Sequence, residues 1–368
     1  MKKTMTIIAL VLAVLFALAA CTAAPSASQS AAATTAQEST AAEESVSAEP
    51  AAEGDGGGYT FGAVCISLNA PIWVELMEAG DACAKETGST VIWKSAEGSL
   101  ENQIALIEAF IEQKVDCILM DPIDAVALIP VIQEALNAGI PVVTMGNLVE
   151  GGVDDTLYNV CTTYPDVRDT SALTDLLIKA GGADKTYIGV MGTVGNFVSD
   201  TRQKAFEDAC TEAGVEYLVS DGNWDSTQTL KVTQDMVTQA GDKLGGLYNL
   251  DDSMCLISMQ ATPKGLAVAG HNGEEAAFEK IENGEMLATV LIGGSHIGYW
   301  NILTATQLAE GQDLPHQVYL KTYIVMTEET QAKYWDGELA EKYPDLPVLT
   351  PEEARKVAKE PAEMLEEL

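Results

Sequence analysis

The chain has 368 residues and sets 55 acidic against 20 basic side chains, a formal net charge of −35. A surface this acidic excludes the nucleic-acid and anionic-lipid binding modes that need clustered Lys and Arg. The length suggests about two domains, and 47% hydrophobic residues are enough to build a core for each.

The chain opens on a processing signal. Lys2 and Lys3 precede an apolar run from Ile7 to Ala20, short for a membrane span of about 20 residues. The run ends Leu18-Ala19-Ala20-Cys21, a small-residue cleavage site followed directly by cysteine, which resembles a bacterial lipobox. Residues 1–21 then form a lipoprotein signal peptide, and the Cys21 sulfur carries diacylglycerol. Its new amine is acylated as well, and several acyl chains anchor stably where one does not. Residues 22–58 are Ala, Ser, Thr, Glu and Gly with almost no large apolar side chain. That composition predicts a disordered tether with a reach of roughly 30–35 Å.

The folded body begins at Tyr59. Tyr59 to Ile66 reads as a buried strand, broken by Ser67-Leu-Asn-Ala-Pro71, and a helix runs from Ile72 to Gly88. Pro71 suits the helix start, where its missing N–H has no partner to lose. A strand at Thr90–Trp93 follows, then a helix at Leu100–Lys114, a strand at Val115–Met120 and a helix at Val126–Ala138. A strand at Pro141–Met145 closes the first series. The pattern breaks at Tyr158–Tyr164 and a second series starts. Its helices are predicted at Asp166–Ala180, Asp200–Ala213, Gln228–Ala240, Glu274–Asn283 and Ser295–Glu310. Its strands are predicted at Thr186–Met191, Glu216–Val219, Gly246–Asn249, Gly265–Ala269 and Met286–Ile292. Such alternation implies parallel sheets with right-handed crossovers. Leu314–Val325 reads as extended, and residues 326–368 as acidic and helical without a motif.

Catalytic signatures are missing. No G-x-S-x-G, H-E-x-x-H or phosphate-loop pattern occurs, and there are three histidines: His271, His296 and His316. Asp221-Gly-Asn-Trp-Asp225 imitates the start of a calcium loop. However, Ser226 stands where glycine is obligatory and Val232 where the bidentate Glu belongs, so no metal site is expected. Asp251-Asp252 is a carboxylate pair with no nucleophile nearby, and hydrogen bonding is its expected role. Cys65, Cys83, Cys117, Cys161, Cys210 and Cys255 form no metal-type pair and read as buried thiols. No cofactor is called for.

Polar and aromatic residues collect instead at strand ends: Asn69 and Trp73, Asn147, Arg202, Trp224, Asp251, and His271-Asn272. Open α/β sheets bind ligands at the carboxyl ends of their strands. Aromatic rings stack on apolar sugar faces, and hydroxyls need both donors and acceptors. Trp93 and Trp300 read as core, and Arg202, on a helix face, reads equally as a solvated charge.

Five stretches in order carry a resemblance: Ser67-Leu-Asn-Ala-Pro-Ile-Trp-Val, Ile140-Pro-Val-Val-Thr, Thr201-Arg-Gln-Lys-Ala-Phe206, Asp251-Asp-Ser-Met254 and Ala269-Gly-His-Asn-Gly273. Together they resemble the type I periplasmic binding proteins of the ribose and galactose group, from about Phe61 to Val325. The resemblance implies two doubly wound parallel-sheet lobes joined by three hinge strands. The N-terminal lobe takes residues 59–160 plus about 294–322, and the C-terminal lobe 161–293 plus about 323–368. It implies ligand contacts from Trp73, Arg202, Trp224, Asp251 and Asn272, to which the strand-end reading adds Asn69 and Asn147. It further implies a monomeric, non-enzymatic receptor, lipid-anchored outside the cytoplasm, that hands a small sugar-like ligand to an ABC permease and its ATPase. A receptor that reports to a chemoreceptor or sensor kinase is the alternative. Gly146-Asn147, Ala70 and Ile292 depart from the polar residues that ribose binders carry at those places, which puts ribose itself in doubt.

Overall fold

The computed structural model describes residues 58–149, 160–163, 166–315, 317–335 and 337–361. The expected signal peptide with Cys21, the tether up to residue 57, and His316 lie outside them.

The first series is β1 (Thr60–Cys65), α1 (Pro71–Thr87), β2 (Thr90–Ser95), α2 (Leu100–Gln113), β3 (Cys117–Met120), α3 (Ile129–Asn137), β4 (Val142–Met145) and β5 (Val160–Thr163). Pro71 occupies the first turn of α1, and Gly88 closes that helix in the left-handed conformation that glycine adopts without strain. Ser99 caps α2 by accepting the Asn102 N–H. The helix expected from Val126 begins only at Ile129. The Asp124 carboxylate accepts the N–H groups of Val126 and Ala127 and holds that stretch as a turn.

The second series is α4 (Asp166–Gly181), β6 (Thr186–Met191), α5 (Phe197–Ala213), β7 (Glu216–Asp221), α6 (Ser226–Ala240), β8 (Leu244–Asn249), α7 (Asp252–Ser258), β9 (Ala267–Ala269), α8 (Glu275–Glu282), β10 (Thr289–Leu291) and α9 (Gly294–Ala309). Helix α5 starts three residues before its expected first residue, because the Asn196 side chain caps it by accepting the Ser199 N–H. Helix α7 was not anticipated; a seven-residue helix is too short to show a period.

The segment expected to be extended from Leu314 divides into β11 (Gln317–Tyr319) and β12 (Tyr323–Val325). They belong to different sheets. The first sheet has six strands in the order β11-β5-β4-β3-β1-β2, all pairs parallel. The second has four parallel strands, β7-β6-β8-β9. Single bridges from Ala269 to Ala288 and from Asn272 to Leu291 carry it on to the strip β10-β12-β13. Here β13 (Val348–Leu349) is a strand within the tail expected to be helical; α10 (Glu328–Tyr334), α11 (Gly337–Lys342) and α12 (Pro351–Val357) supply its helices. The architecture is two doubly wound parallel-sheet lobes.

Each sheet is apolar on both faces, as helix-covered parallel sheets must be. Ile118, Ile107, Phe110 and Ile132 fill one face of the first lobe. Ile188, Leu247, Phe278 and Ile281 fill one face of the second. Each such side chain gains about 1.5–3 kcal/mol on full burial. Helix α9 packs on α1 so closely that a Cβ at Gly298 would meet the Leu76 carbonyl. Trp93 and Trp300 pack against the core as expected. Cys65, Cys83, Cys117, Cys210 and Cys255 are buried free thiols. Burial pushes the Cys83 thiol up to about 12, out of reach of thiolate chemistry. Among the described residues, no helix is long and apolar enough to cross a membrane, and no cluster of His, Cys, Asp or Glu suits a metal ion.

Candidate functional site

Parallel strands place their carboxyl ends at one edge of each sheet, and the polar residues gather there. Arg202 projects from α5 and is only 2% exposed, so it is not a solvated charge. Its Nε donates to Asp166 Oδ1 at 2.7 Å and its Nη1 to the Leu250 carbonyl at 2.6 Å. Asp166 opens α4 and Leu250 follows β8, so one guanidinium ties three elements together. Burial raises the Asp166 carboxyl even beside Arg202. His271, just past β9, lies with Nε2 4.0 Å from Asp166 Oδ1 and Nδ1 3.3 Å from the Tyr248 hydroxyl. The Tyr248 hydroxyl in turn lies 3.1 Å from Thr170 Oγ1. Burial first, and then the neighbouring Arg202 charge, push the His271 pKa well down, so its ring is neutral. Asp166 Oδ2 and His271 Nε2 are buried with no hydrogen-bond partner among the described residues.

Asp251 and Asn272 sit on the same rim. Asp251 caps α7 by accepting the Met254 N–H at 2.8 Å, and its other oxygen accepts from Asn272 Nδ2 at 2.7 Å. Asn272 holds φ at 112°, a strained value for a residue with a side chain. Asp252 points the other way. Its carboxylate accepts from Thr289 Oγ1 at 2.9 Å and from the N–H groups of Gly273 and Glu274 at 2.9 and 3.0 Å. The acid pair therefore fixes loops by hydrogen bonding, the role expected of it. Glu274 accepts from Ser253 Oγ at 2.6 Å, and burial with the nearby Asp251 charge pushes it up to about 7.

Trp224 follows β7 with 40% of its surface exposed. It and Asn223 both adopt left-handed backbone, φ 57° and 54°, which costs of order 1 kcal/mol per bulky residue. The strain lays the indole on Gly192, where a Cβ would collide with the ring.

The first-lobe wall is sparser. Asn69 is exposed, and its backbone N–H donates to Ser67 Oγ at 3.2 Å. Trp73 is half-buried against the core on α1. Neither contacts Arg202, Asp251 or Asn272 through any hydrogen bond described here. Asn147 is buried and donates from Nδ2 to Asp121 Oδ1 at 2.6 Å. Its Oδ1 accepts from the N–H of Val198 on α5 at 3.0 Å. Asp121 follows β3, and burial pushes its carboxyl up to about 8 while Asn147 opposes the rise. Ile292 is buried core.

The residues missed from sequence are Asp121, Asp166 and Tyr248. Asp121 lay at a strand end and the strand-end rule alone could have found it. Asp166 reads as an ordinary acid in a helix first turn, and Tyr248 as strand core.

A family profile described as "Periplasmic binding protein domain" matches residues 61–313. The chain belongs to that family. Membership places this periplasmic binding protein outside the cytoplasm and makes it a solute-binding protein rather than an enzyme. The ribose import binding protein of Bacillus subtilis (strain 168) is 25% identical over 66% of this chain and 78% of its own length. The D-ribose/D-allose-binding protein of Pseudomonas aeruginosa is 27% identical over 60% of this chain and 72% of its own. A solute-binding protein of Actinobacillus succinogenes solved with bound D-allose superposes with a TM-score of 0.69. It covers 74% of this chain and 99% of that one at 22% identity, a likeness of fold.

Proposed function

We propose that this protein is a lipid-anchored extracytoplasmic receptor that closes on a small neutral sugar or polyol and delivers it to an ABC importer. The carrying observation is the buried polar cluster of Arg202, Asp166, His271, Asp251 and Asn272 at the strand ends of the second lobe. It offers donors and acceptors together, as hydroxyls require. Asp166 Oδ2 and His271 Nε2 remain buried without described partners, and a bound hydroxyl would satisfy either.

The charge balance narrows the ligand. Arg202 is the one cation among the anticipated contacts, and Asp166 already neutralises it. Asp121, Asp251 and Glu274 add carboxyls, and the whole chain carries −35. A sugar phosphate or sugar acid would find no cation beyond the Asp166-paired Arg202 among the anticipated contacts, whereas a neutral polyol needs none. Relatives named for ribose and allose support the same class.

Asn69, Trp73, Asn147, Arg202, Trp224, Asp251 and Asn272 are the proposed contacts, from both lobes. Closure works because contacts from both walls form together only when the lobes meet. The chain passes between the sheets after β5, after β10 and between β11 and β12, the three proposed hinge crossings. The proposed lobes are 59–160 plus about 294–322 and 161–293 plus about 323–368, with the first crossing a few residues later, beyond β5. Cys21 is the proposed lipid site and residues 22–58 the proposed tether.

A thermal-shift panel of neutral sugars, polyols, sugar acids and sugar phosphates tests the ligand class. Stabilisation by a neutral member supports the reading, since a ligand that binds only the folded form raises Tm by mass action. Stabilisation by anionic members alone overturns it. Release of a Cys21→Ser chain from the membrane fraction tests the anchor.

A further inference from the structure

We propose that Asn147 is the latch that holds the two lobes together, and that Asp121 is the residue that aims it. The inference deepens the receptor reading and rests on it for its biological sense.

Asn147 follows β4 in the first lobe and is 7% exposed. The N–H it accepts belongs to Val198, in the first turn of α5 in the second lobe. First-turn N–H groups have no acceptor within their own helix. Asn196 serves that of Ser199 at 3.0 Å from within its own loop. The N–H of Val198 is served instead across the cleft. The bond joins positions 51 apart in sequence and on opposite sheets, so it forms only when the lobes are together.

A side-chain amide has a donor end and an acceptor end, and only one orientation serves Val198. Turned around, the Nδ2 group would face the Val198 N–H, two donors in opposition. Asp121 prevents this. Its Oδ1 accepts from Nδ2 at 2.6 Å and leaves Oδ1 of Asn147 directed at α5. Asp121 is itself fixed. Its N–H donates to the Val64 carbonyl at 3.0 Å, and its carbonyl accepts from Gln103 Nε2 at 2.6 Å. Gln103 is buried, and its Oε1 accepts the Ile123 N–H at 3.0 Å, so the loop after β3 cannot swing. The first lobe thus presents one pre-aimed acceptor to a helix start of the second.

A bond present only when the lobes meet biases closure, and apparent affinity scales with the fraction closed. Its loss lowers affinity about three- to tenfold, the range of one ordinary hydrogen bond. That loss is the same for every ligand the site accepts, because the latch reads the lobes and not the solute.

The test is Val198→Pro. Proline has no N–H, its ring suits a helix first turn, and the Asn196 cap is left in place. In the full chain, V198P weakens every binding ligand by the same three- to tenfold factor, N147A weakens each by at least that factor because it also removes a proposed ligand contact, and the double variant is no worse than N147A alone. D121A gives the same loss as V198P. Spin labels at Val126 and Val194, exposed positions one in each lobe, read the interlobe distance directly, and the short-distance population falls in N147A and V198P. Full affinity and an unchanged distance distribution in V198P, with N147A alone impaired and its loss varying from sugar to sugar, would overturn the latch and leave Asn147 a ligand contact. If no panel member binds, the receptor reading fails while the distance measurement still decides the latch. If V198P does not fold, N147A and D121A decide it by the same two readouts.

Discussion

On the second-lobe wall of the cleft, Arg202 is clamped by Asp166 and the Leu250 carbonyl, and His271 leans on Tyr248 and Thr170. On the first-lobe wall, Asn69 is exposed, Trp73 rests against the core, and Asp121 with Asn147 forms a buried polar pair. The second wall is held by a network whose members all lie within that lobe. The first wall's buried polar contribution is an amide whose second partner is the other lobe. A receptor divided in this way binds first on its rigid wall and then recruits the other, with little to reorganise on the side that carries most hydrogen bonds.

The sharpest way to break this contrast is Arg202→Ala. It strands the buried Asp166 carboxyl and leaves the Leu250 carbonyl unserved. Removing one partner of a buried pair costs about 3–5 kcal/mol. Urea unfolding should show that loss, and calorimetry should show no ligand binding. Arg202→Lys should rescue only part of either, since an ammonium cannot fork between Asp166 and Leu250. A stable R202A that still binds would mean that the network is ornamental.

A second measurement sharpens the first-lobe side. Burial holds Asp121 at about 8 and Glu274 at about 7 in the folded chain, against about 4 when unfolded. The folded state therefore keeps protons that the unfolded state has lost, and stability falls as pH rises toward 8. His271 and His296 act oppositely. Burial lowers both, His296 to about 4, so they weaken the fold as pH drops below about 6.5, where the unfolded histidines charge. Between about pH 6.5 and 8 the histidines drop out, and the buried carboxyls, Asp252 among them, set the slope, each worth at most ~1.4 kcal/mol per pH unit. Asp121→Asn should flatten the decline of Tm over that window. An unchanged slope in D121N would assign the decline to the general acidity of the chain.

How far the sequence reveals these two walls follows from how each is built. Strand–helix alternation and Pro71 located the first unit, and the strand-end rule picked out Arg202, Asp251 and Asn272, which the structure brings onto one rim. Each of these owes its place to the strand or helix that carries it, and local pattern is what a sequence displays. The Asp121–Asn147–Val198 chain links positions 26 and 51 apart across two sheets, and no periodicity encodes such a meeting. Asp166 resembles any helix-starting acid. Helix α7 is shorter than two periods, and the split of the extended segment between two sheets depends on pairing rather than on composition.

Trp224 tests the rim of the rigid wall by a smaller effect. Its left-handed backbone and its seat on Gly192 present the indole with little freedom to lose on binding. Trp224→Ala should weaken sugar affinity by about 1–3 kcal/mol, from lost stacking and burial. Fold stability should change little, because the ring is substantially exposed. Gly192→Ala should reproduce part of that loss by lifting the ring. Unchanged affinity in calorimetry for both would take Trp224 out of the site.

The smallest expected effect lies at the tail, where the two lobes are also joined. Arg355 on α12 pairs with Glu275 and Glu282 of α8 in the second lobe, at 2.7 and 2.6 Å. Three residues on, the Ala358 carbonyl accepts from Ser295 Oγ of α9, and the Pro361 carbonyl accepts from Trp300 Nε1, each at 2.9 Å. Helix α9 packs on α1 of the first lobe, so this segment bridges the same two bodies as Asn147. The Arg355 pairs are partly exposed, and such bridges contribute about 0–1 kcal/mol. Arg355→Ala should lower Tm by only a few degrees, less at high salt. Trp300→Phe, which deletes one bond to a carbonyl and keeps the packing, should fall in the same range. Because neither Arg355 nor Trp300 is bonded to a proposed ligand contact in any described interaction, neither change should alter which sugars bind. A shift in ligand preference with R355A would show that the tail, and not the cleft alone, sets how the lobes meet.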